Sequence, residues 1–445
     1  MTTTERRAAA LLAEAFGEGP WTAEGMIERG SMVLGHSPDW LPGLADRVLA
    51  AFPGARPRAR RVFLFLVDDP GFGEAWAETP VELVVGPRPP PVMSPSPGVP
   101  SSWKVPAIVT LAALAARVGV EPAELDWFAD LRGRLDRVAD GPLCHYDYRW
   151  VAKRNGSARL VEAPRPRLKQ IQRRLLREII GPIPPHDAAH GFRPGRSVGS
   201  FVAPHAGRSA VLKLDLRDFF PSITSARVAA LFRVAGYPEA VAQSLAGLCC
   251  NRVPSGVWRR ADAPASVAGS SPEAWRARKQ FQVAHLPQGA PTSPALANLC
   301  AFRLDLRLSA FAASHGAAYT RYADDLAFSG GPEFARGVGR FAVRAHAIAL
   351  EEGFAVHPEK TRIMRPGVRQ QLAGAVINER PNVARDEFDA LKAILHNCAR
   401  HGPGGQDRVG HTDFRAHLLG RIAHVATLNP TRAGRLRAEF DRIAW

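Results

Sequence analysis

Residues 317–330, AAYTRYADDLAFSG, set two adjacent aspartates between two short apolar runs that carry aromatic rings. The pattern on either side reads as two strands of a hairpin with Asp324 and Asp325 at its turn. Neighbouring carboxylates repel, and a lone acidic pair at a turn is ordinarily a polar turn and nothing more. A second stretch changes that reading. AVLKLDLRDFFPSI (210–223) looks like an apolar strand that ends in Asp215, followed by a turn and a helix start. Two strand ends can bring three carboxylates to one edge of a sheet, an oxygen-rich set that suits two magnesium ions, or manganese in their place.

Composition narrows the class. At 445 residues the chain is long enough for two or three domains, and 46% apolar content excludes a disordered protein. Apolar runs such as Val62–Val67 fall far short of the roughly 20 residues a membrane span needs. The N-terminus MTTTERRAAALLAEAF is too acidic and too helical in pattern for a secretory signal. Five cysteines without CxxC spacing point to a reduced, cytoplasmic protein and away from a zinc site, with Cys249–Cys250 reading as packing. The net charge of +16 is unevenly placed: residues 1–100 carry 9 Arg, no Lys and 12 acidic residues, and the remainder carries 49 basic against 30 acidic residues. A basic surplus concentrated this way marks a polyanionic partner, nucleic acid above all.

The charge changes sign across GPRPPPVMSPSPGVPSS (86–102), which reads as a Pro/Ser-rich linker. Before it, residues 1–85 suggest a small α+β extension: helical over 5–16 and 41–52, with a strand at RVFLFLV (61–67). After it, 103–144 reads as a helical lead-in. YRWVAKRNGSARLVEAP (148–164) is two strands around an Asn-Gly turn. RPRLKQIQRRLLREII (165–180) is a helix in which Leu168, Ile171, Leu175, Leu176 and Ile179 share one face. Arg167, Lys169, Arg173, Arg174 and Arg177 populate the rest, suited equally to solvent and to phosphate. Residues 251–280 are polar and Arg-rich and read as a loop, and a helix spans 333–352.

Further residues fit chemistry at the three carboxylates. One metal there would activate a 3′-hydroxyl and the other would steady the pyrophosphate leaving an incoming nucleotide. HLPQGAPTSPALANL (285–299) is a proline-stiffened loop running into a helix from about Ser293, with Gln288 and the Gly289 backbone suited to phosphate, sugar or base. Phe220, five residues past Asp215, could lie under the nucleotide sugar and clash with a 2′-hydroxyl, whereas Phe219 beside it reads as core. Only seven of the 58 basic residues are lysines. Lys153 and Arg159, flanking the Asn-Gly turn, and Lys360, in GFAVHPEKTRIM, are candidates for a triphosphate clamp, with a surface role the alternative for each.

Taken in order, KRNGSARLVEAP, AAHGFRPGRS, LDLRDFFPSI, LPQGAPTSPALANL, YTRYADDLAFSG, GFAVHPEKT and GAVINERPNVAR resemble the motif series of reverse transcriptases, over about residues 145 to 425. QGAPTSP, YADDLAFSG and VINERPNVARDEFDALKAILHN resemble most the bacterial retron type, including its myxobacterial members with extended N-termini. That resemblance implies an α+β right-hand polymerase: fingers and palm over 145–375 and a short helical thumb and RNA-recognition region over 376–445. It implies Asp215, Asp324 and Asp325 as catalytic metal ligands and deoxynucleoside triphosphates as substrates. Its partners would be a structured non-coding RNA, the single-stranded DNA copied from it, and a separate or fused effector in anti-phage defence. Retron enzymes prime from the 2′-hydroxyl of an internal guanosine, giving branched RNA–DNA. Two motifs tied to recognition of the cognate RNA depart from the family pattern: FVAPH (201–205) keeps only His205 of Asn-Ala-x-x-His, and LAG (372–374) keeps only Gly374 of Val-Thr-Gly. Another defence-associated or intron-like reverse transcriptase, a non-catalytic RNA-binding protein of the same fold, and an RNA-dependent RNA polymerase are the alternatives. The first 100 residues match no part of the core enzyme and could dock on an effector or on the RNA.

Overall fold

The computed structural model describes residues 2–53, 56–79, 81, 83, 91–100, 103–137, 141, 143–152, 158–269 and 271–445. The chain divides into two compact units, residues 1–184 with 223–300, and residues 185–222 with 301–445. Helices and strands are numbered along the chain.

The first unit begins with five helices, α1 (Thr3–Gly17), α2 (Ala23–Leu34), α3 (Trp40–Ala51), α4 (Ala59–Asp68) and α5 (Pro70–Glu78). Thr2 and Glu5 close a capping box on α1. The core of this layer is Leu12, Phe16, Leu34, Leu41, Val48, Leu66 and Phe72 with their neighbours. The strand expected at 61–67 is therefore helix α4. Val62 and Leu66, four residues apart, are fully buried while Leu64 between them is 48% exposed, the period of a helix and not of a strand. A six-residue apolar run cannot distinguish the two by itself. The α+β extension is all helical among its described residues.

Residues 86–90 and 101–102 of the expected linker lie outside the described residues. Residues 91–100 are held in place: the Ser94 and Ser96 N–H groups donate to the carbonyls of Gly236 and Val234 at 2.8 and 3.0 Å. Helices α6 (Leu111–Val118) and α7 (Pro122–Ala129) precede the antiparallel pair β1 (Tyr146–Ala152) and β2 (Ala158–Pro164). The Asn-Gly turn and Lys153 lie outside the described residues. Helix α8 (Pro166–Leu175) buries Leu168, Ile171 and Leu175 and ends in a π-helical turn, Leu176–Ile180. Helices α10 (Ser225–Val234), α11 (Glu239–Cys249), α12 (Ala265–Ala268), α13 (Pro272–Phe281) and α14 (Ser293–Cys300) complete the unit. The 251–280 segment is thus not wholly irregular. Ser271 accepts from the Ala274 N–H and Pro272 opens α13, start signals that its polar, Arg-rich composition obscured.

The second unit is built on a four-stranded antiparallel sheet in the order β4-β5-β3-β6. Its strands are β3 (Ala210–Asp215), β4 (Ala318–Tyr322), β5 (Asp325–Gly330) and β6 (Arg362–Met364). Helices α9 (Val198–Val202), α15 (Phe302–Ala313) and α16 (Pro332–Glu351) pack on it. The two-residue strands β7 (Gln371–Leu372) and β8 (Ala375–Val376) lead to α17 (Arg385–His401), α18 (Phe414–Leu428) and α19 (Pro430–Phe440), which share a core of Leu391, Leu395, Leu418, Ile422, Leu436 and Phe440. Among the described residues no helix is long and apolar enough to cross a membrane. All five cysteines are free and buried.

Candidate active site

The register of the central strands assembles the carboxylates. Strand β3 pairs with β5 so that Asp215 stands opposite Asp325, and the Leu216 N–H donates to the Asp324 carbonyl at 2.9 Å. The β4–β5 turn is tight. Ala323 takes a left-handed φ of 56°, which directs Asp324 and Asp325 back over the end of β3. On the other side, the His357 N–H donates to the Asp215 carbonyl at 2.8 Å and the Arg217 N–H to that of Ala355 at 2.7 Å. That pairing delivers GFAVHPEK to the same edge.

Two lysines answer the charge. Lys360 Nζ lies 2.8 Å from Asp215 Oδ1, and Lys213 Nζ lies 2.8 Å from Asp325 Oδ1. Burial raises the carboxyl pKa of Asp324, and the charge of Asp325 beside it adds to that shift. Burial likewise raises that of Asp325, against the opposing pull of Lys213. As placed, no three of the described His, Cys, Asp or Glu side chains close on a single ion. The donor set nevertheless fits divalent cations: three carboxylates on one sheet edge, two of them already drawing ammonium groups, are hard oxygen ligands for a hard ion.

A buried pair underpins the hairpin. Arg321 and Asp305 are both fully buried and meet in a fork, Nε to Oδ1 at 2.8 Å and Nη2 to Oδ2 at 2.6 Å. Arg321 Nη1 also donates to the Ala323 carbonyl at 3.1 Å, and the Tyr319 hydroxyl donates to Asp305 Oδ1 at 2.8 Å. Phe219 is buried beneath Arg321, as its reading as a core residue expects. Phe220 is half-buried, its ring centroid 5.7 Å from that of Phe219 and 6.0 Å from that of Phe192.

Of the nucleotide-contact candidates, Lys360 and Phe220 fall in the second unit with the aspartates, whereas Arg159, Gln288 and Gly289 fall in the first. There the Glu162 N–H donates to the Gln288 carbonyl at 2.9 Å, docking the loop on β2. Gly289 has a φ of 140°, and a Cβ on it would sit 2.8 Å from the Glu162 carbonyl oxygen, so only glycine fits. The Glu162 carboxylate is buried, bonded to His285 Nε2 at 3.0 Å and Asn251 Nδ2 at 2.7 Å. On the basic helix Arg167, Lys169, Arg173 and Arg177 are exposed and Arg174 is half-buried. Arg167 donates to the Gly119 carbonyl, and Arg174 and Arg177 lie near Glu178 at 3.7 and 2.7 Å, so part of this basic face serves the fold.

His205 does not fit its expected role in nucleic-acid contact. It is fully buried, with Nδ1 2.7 Å from the Ser329 hydroxyl and Nε2 2.7 Å from that of Thr320. Burial lowers its pKa to about 3, so it is a neutral core residue that ties the 201–205 segment to β4 and β5. Lys213 and the Asp305–Arg321 pair were missed from sequence. Lys213 carried a signal, since it lies two residues before Asp215 and therefore on the same face of β3. The partners Asp305 and Arg321 are sixteen residues apart on different elements, and no local pattern joins them.

The family described as reverse transcriptase (RNA-dependent DNA polymerase) matches residues 151–391. The retron Mx65 reverse transcriptase of Myxococcus xanthus is 41% identical over 73% of this chain and 69% of its own length. The retron Mx162 reverse transcriptase of the same organism is 38% identical over 74% of this chain and 66% of its own length. The retron Ec86 reverse transcriptase of Escherichia coli is 30% identical over 64% of this chain and 75% of its own length. The ordered motifs, the carboxylate edge and these alignments agree, and the chain belongs to the reverse transcriptases, among those of retrons, as an RNA-directed DNA polymerase.

Proposed function

We propose that this enzyme copies part of a structured non-coding RNA into single-stranded DNA, priming from a 2′-hydroxyl of that RNA, and that it serves anti-phage defence with an effector. In this reading residues 145–375 are fingers and palm, residues 376–445 are the thumb and RNA-recognition region, and residues 1–85 form an extension ahead of the 86–102 linker and the 103–144 lead-in. The observation that carries the catalytic part is the strand register that gathers Asp215, Asp324 and Asp325 on one edge.

Those three carboxylates would hold Mg2+, with Mn2+ able to substitute. Bound there, two ions would lower the pKa of the attacking hydroxyl and neutralise charge on the departing pyrophosphate. The chain's own residues do the positioning. Lys213 and Lys360 offset carboxylate repulsion, which lets three acids share a partly buried edge. Arg321, locked by Asp305, fixes the turn that carries Asp324. Phe220 would lie beneath the incoming sugar and select deoxynucleotides. Gln288 and the Gly289 backbone, with Lys153 and Arg159, would contact the nucleotide. Lys169, Arg173 and the basic thumb would grip template and primer through phosphates.

The test is the nucleic acid that co-purifies with the protein from its host, run on a denaturing gel before and after ribonuclease and debranching treatment, with Asp324→Ala alongside. A discrete DNA band that shifts on debranching and is absent from the variant is expected. A DNA band unaffected by debranching would replace 2′-hydroxyl priming with another mode, which the altered FVAPH and LAG segments would accommodate. RNA alone in both samples, with no primer extension in vitro, would leave an RNA-binding protein of this fold.

A further inference from the structure

Phe192 has the most constrained backbone near the site. It is a bulky residue with a left-handed φ of 59°, and 48% of it is exposed. The cause lies one residue earlier. The segment 188–192 runs alongside β4: the Arg321 N–H donates to the Ala188 carbonyl, and the His190 N–H to the Arg321 carbonyl, each at 2.7 Å. Gly191 is then pressed against the catalytic turn, where a Cβ would stand 2.7 Å from the Ala323 nitrogen. From that position the chain must turn away, and the left-handed step at Phe192 lays its ring toward two others. The Phe192 centroid is 6.0 Å from that of Phe220 and 6.5 Å from that of Tyr322, the residue two before Asp324.

A half-exposed phenylalanine in a disfavoured backbone conformation is not explained by core packing. A ring that braces another ring explains both its placement and its exposure. Phe220 follows a turn in which Asp218 is also left-handed, with φ 47°, and its ring neighbours both the buried Phe219 and the half-exposed Phe192. We propose that Phe192 is a positioning residue for Phe220, and through it for discrimination between deoxyribose and ribose in the incoming nucleotide. The proposal rests on the reading of Phe220 as the residue beneath that sugar.

The experiment measures kcat and KM for a deoxynucleotide and for its ribonucleotide counterpart, using the full-length protein on an RNA template with an annealed DNA primer. The variants are Phe192→Ala, Phe192→Gly, Phe192→Tyr, Phe220→Ala and the double alanine variant. Phe192→Gly removes the ring while keeping the left-handed backbone accessible, so it separates the ring from the strain and stands in if the alanine variant does not fold. Phe220→Ala is expected to ease ribonucleotide use. Phe192→Ala and Phe192→Gly should lower the preference for the deoxynucleotide by about tenfold, in line with one ring contact. Phe192→Tyr should restore the preference, and the double variant should match Phe220→Ala alone, because the two rings act in series. Phe220→Ala changing the preference while the Phe192 variants do not would overturn the proposal and leave the sugar reading intact. Equal losses on both nucleotides in the Phe192 variants, with the preference unchanged, would also overturn it and make Phe192 merely structural. No effect from Phe220→Ala would remove the sugar reading itself, and the proposal with it.

Discussion

Removing the carboxylate of Asp305 should damage the β4–β5 hairpin more than any substitution at its surface. Asp305 and Arg321 are both fully buried, and Asp305 accepts two bonds from the guanidinium and one from the Tyr319 hydroxyl. Asp305→Ala leaves a buried guanidinium without its counter-charge. Breaking a buried pair from one side costs about 3–5 kcal/mol, and the stranded Tyr319 hydroxyl contributes within that range. Against a domain stability of about 5–15 kcal/mol, this is about a fifth of the total at the least. Arg321 also holds the Ala323 carbonyl, so the turn carrying Asp324 should loosen and kcat should fall with it. The loss is best read by hydrogen exchange at the β4 and β5 amides, which reports local opening even when two units unfold separately. Those amides should exchange at least a hundredfold faster, the equivalent of about 3 kcal/mol. The double replacement Asp305→Leu with Arg321→Met removes both charges, so it should be less destabilised than the sum of its parts. Protection unchanged in Asp305→Ala, or a double variant as unstable as the sum of its parts, would refute the view that this pair supports the hairpin.

Asp324→Asn should abolish synthesis yet raise the melting temperature at neutral pH. A carboxyl whose pKa is raised in the folded state loses stability as pH climbs through that pKa, and the amide removes the charge responsible; a lower melting temperature would contradict the burial argument. Gly289→Ala must accommodate a Cβ 2.8 Å from the Glu162 carbonyl at a φ of 140°, so steady-state kinetics should show KM for deoxynucleotides raised by roughly tenfold with the RNA affinity unchanged. Replacing Lys169 and Arg173 together by alanine should lower the slope of log K against log salt for template–primer binding by about 2, whereas an unchanged slope would place their side chains away from phosphate.

Elements whose signals were local were legible in the sequence. The β4–β5 hairpin, β3 ending in Asp215, the apolar face of α8 and the break before Ser293 follow from periodicity and turn chemistry, and the structure places each where those signals put it. The failures were of two physical kinds. RVFLFLV carries enough apolar residues for either secondary structure, and the choice was made by its packing in a helical layer at Val62 and Leu66. The motif around His205 points to a functional residue, but its environment is set by hydroxyls 115 and 124 residues away on β4 and β5. The left-handed Phe192 was equally hidden, since its conformation is imposed by the approach of Gly191 to a turn more than a hundred residues downstream.

The choice of cation around the β4–β5 hairpin follows the same division between structure and chemistry. Lysines are only seven of the chain's 58 basic residues, yet both ammonium groups at the carboxylate edge, Lys213 and Lys360, are lysines. The cation beneath the edge is an arginine. An arginine fork engages a carboxylate through two bonds in one plane and is released only when both break, which suits a pair that must never open. A lysine offers a compact charge on a flexible stem, and its carboxylate can exchange partners by moving a single group. Asp305 is fully buried, while the lysines on Asp325 and Asp215 are 25% and 49% exposed, so water and incoming ligands reach the second kind of pair alone. In a chain this biased toward arginine, the two lysines paired with Asp215 and Asp325 leave each carboxylate able to exchange its partner by moving a single side chain.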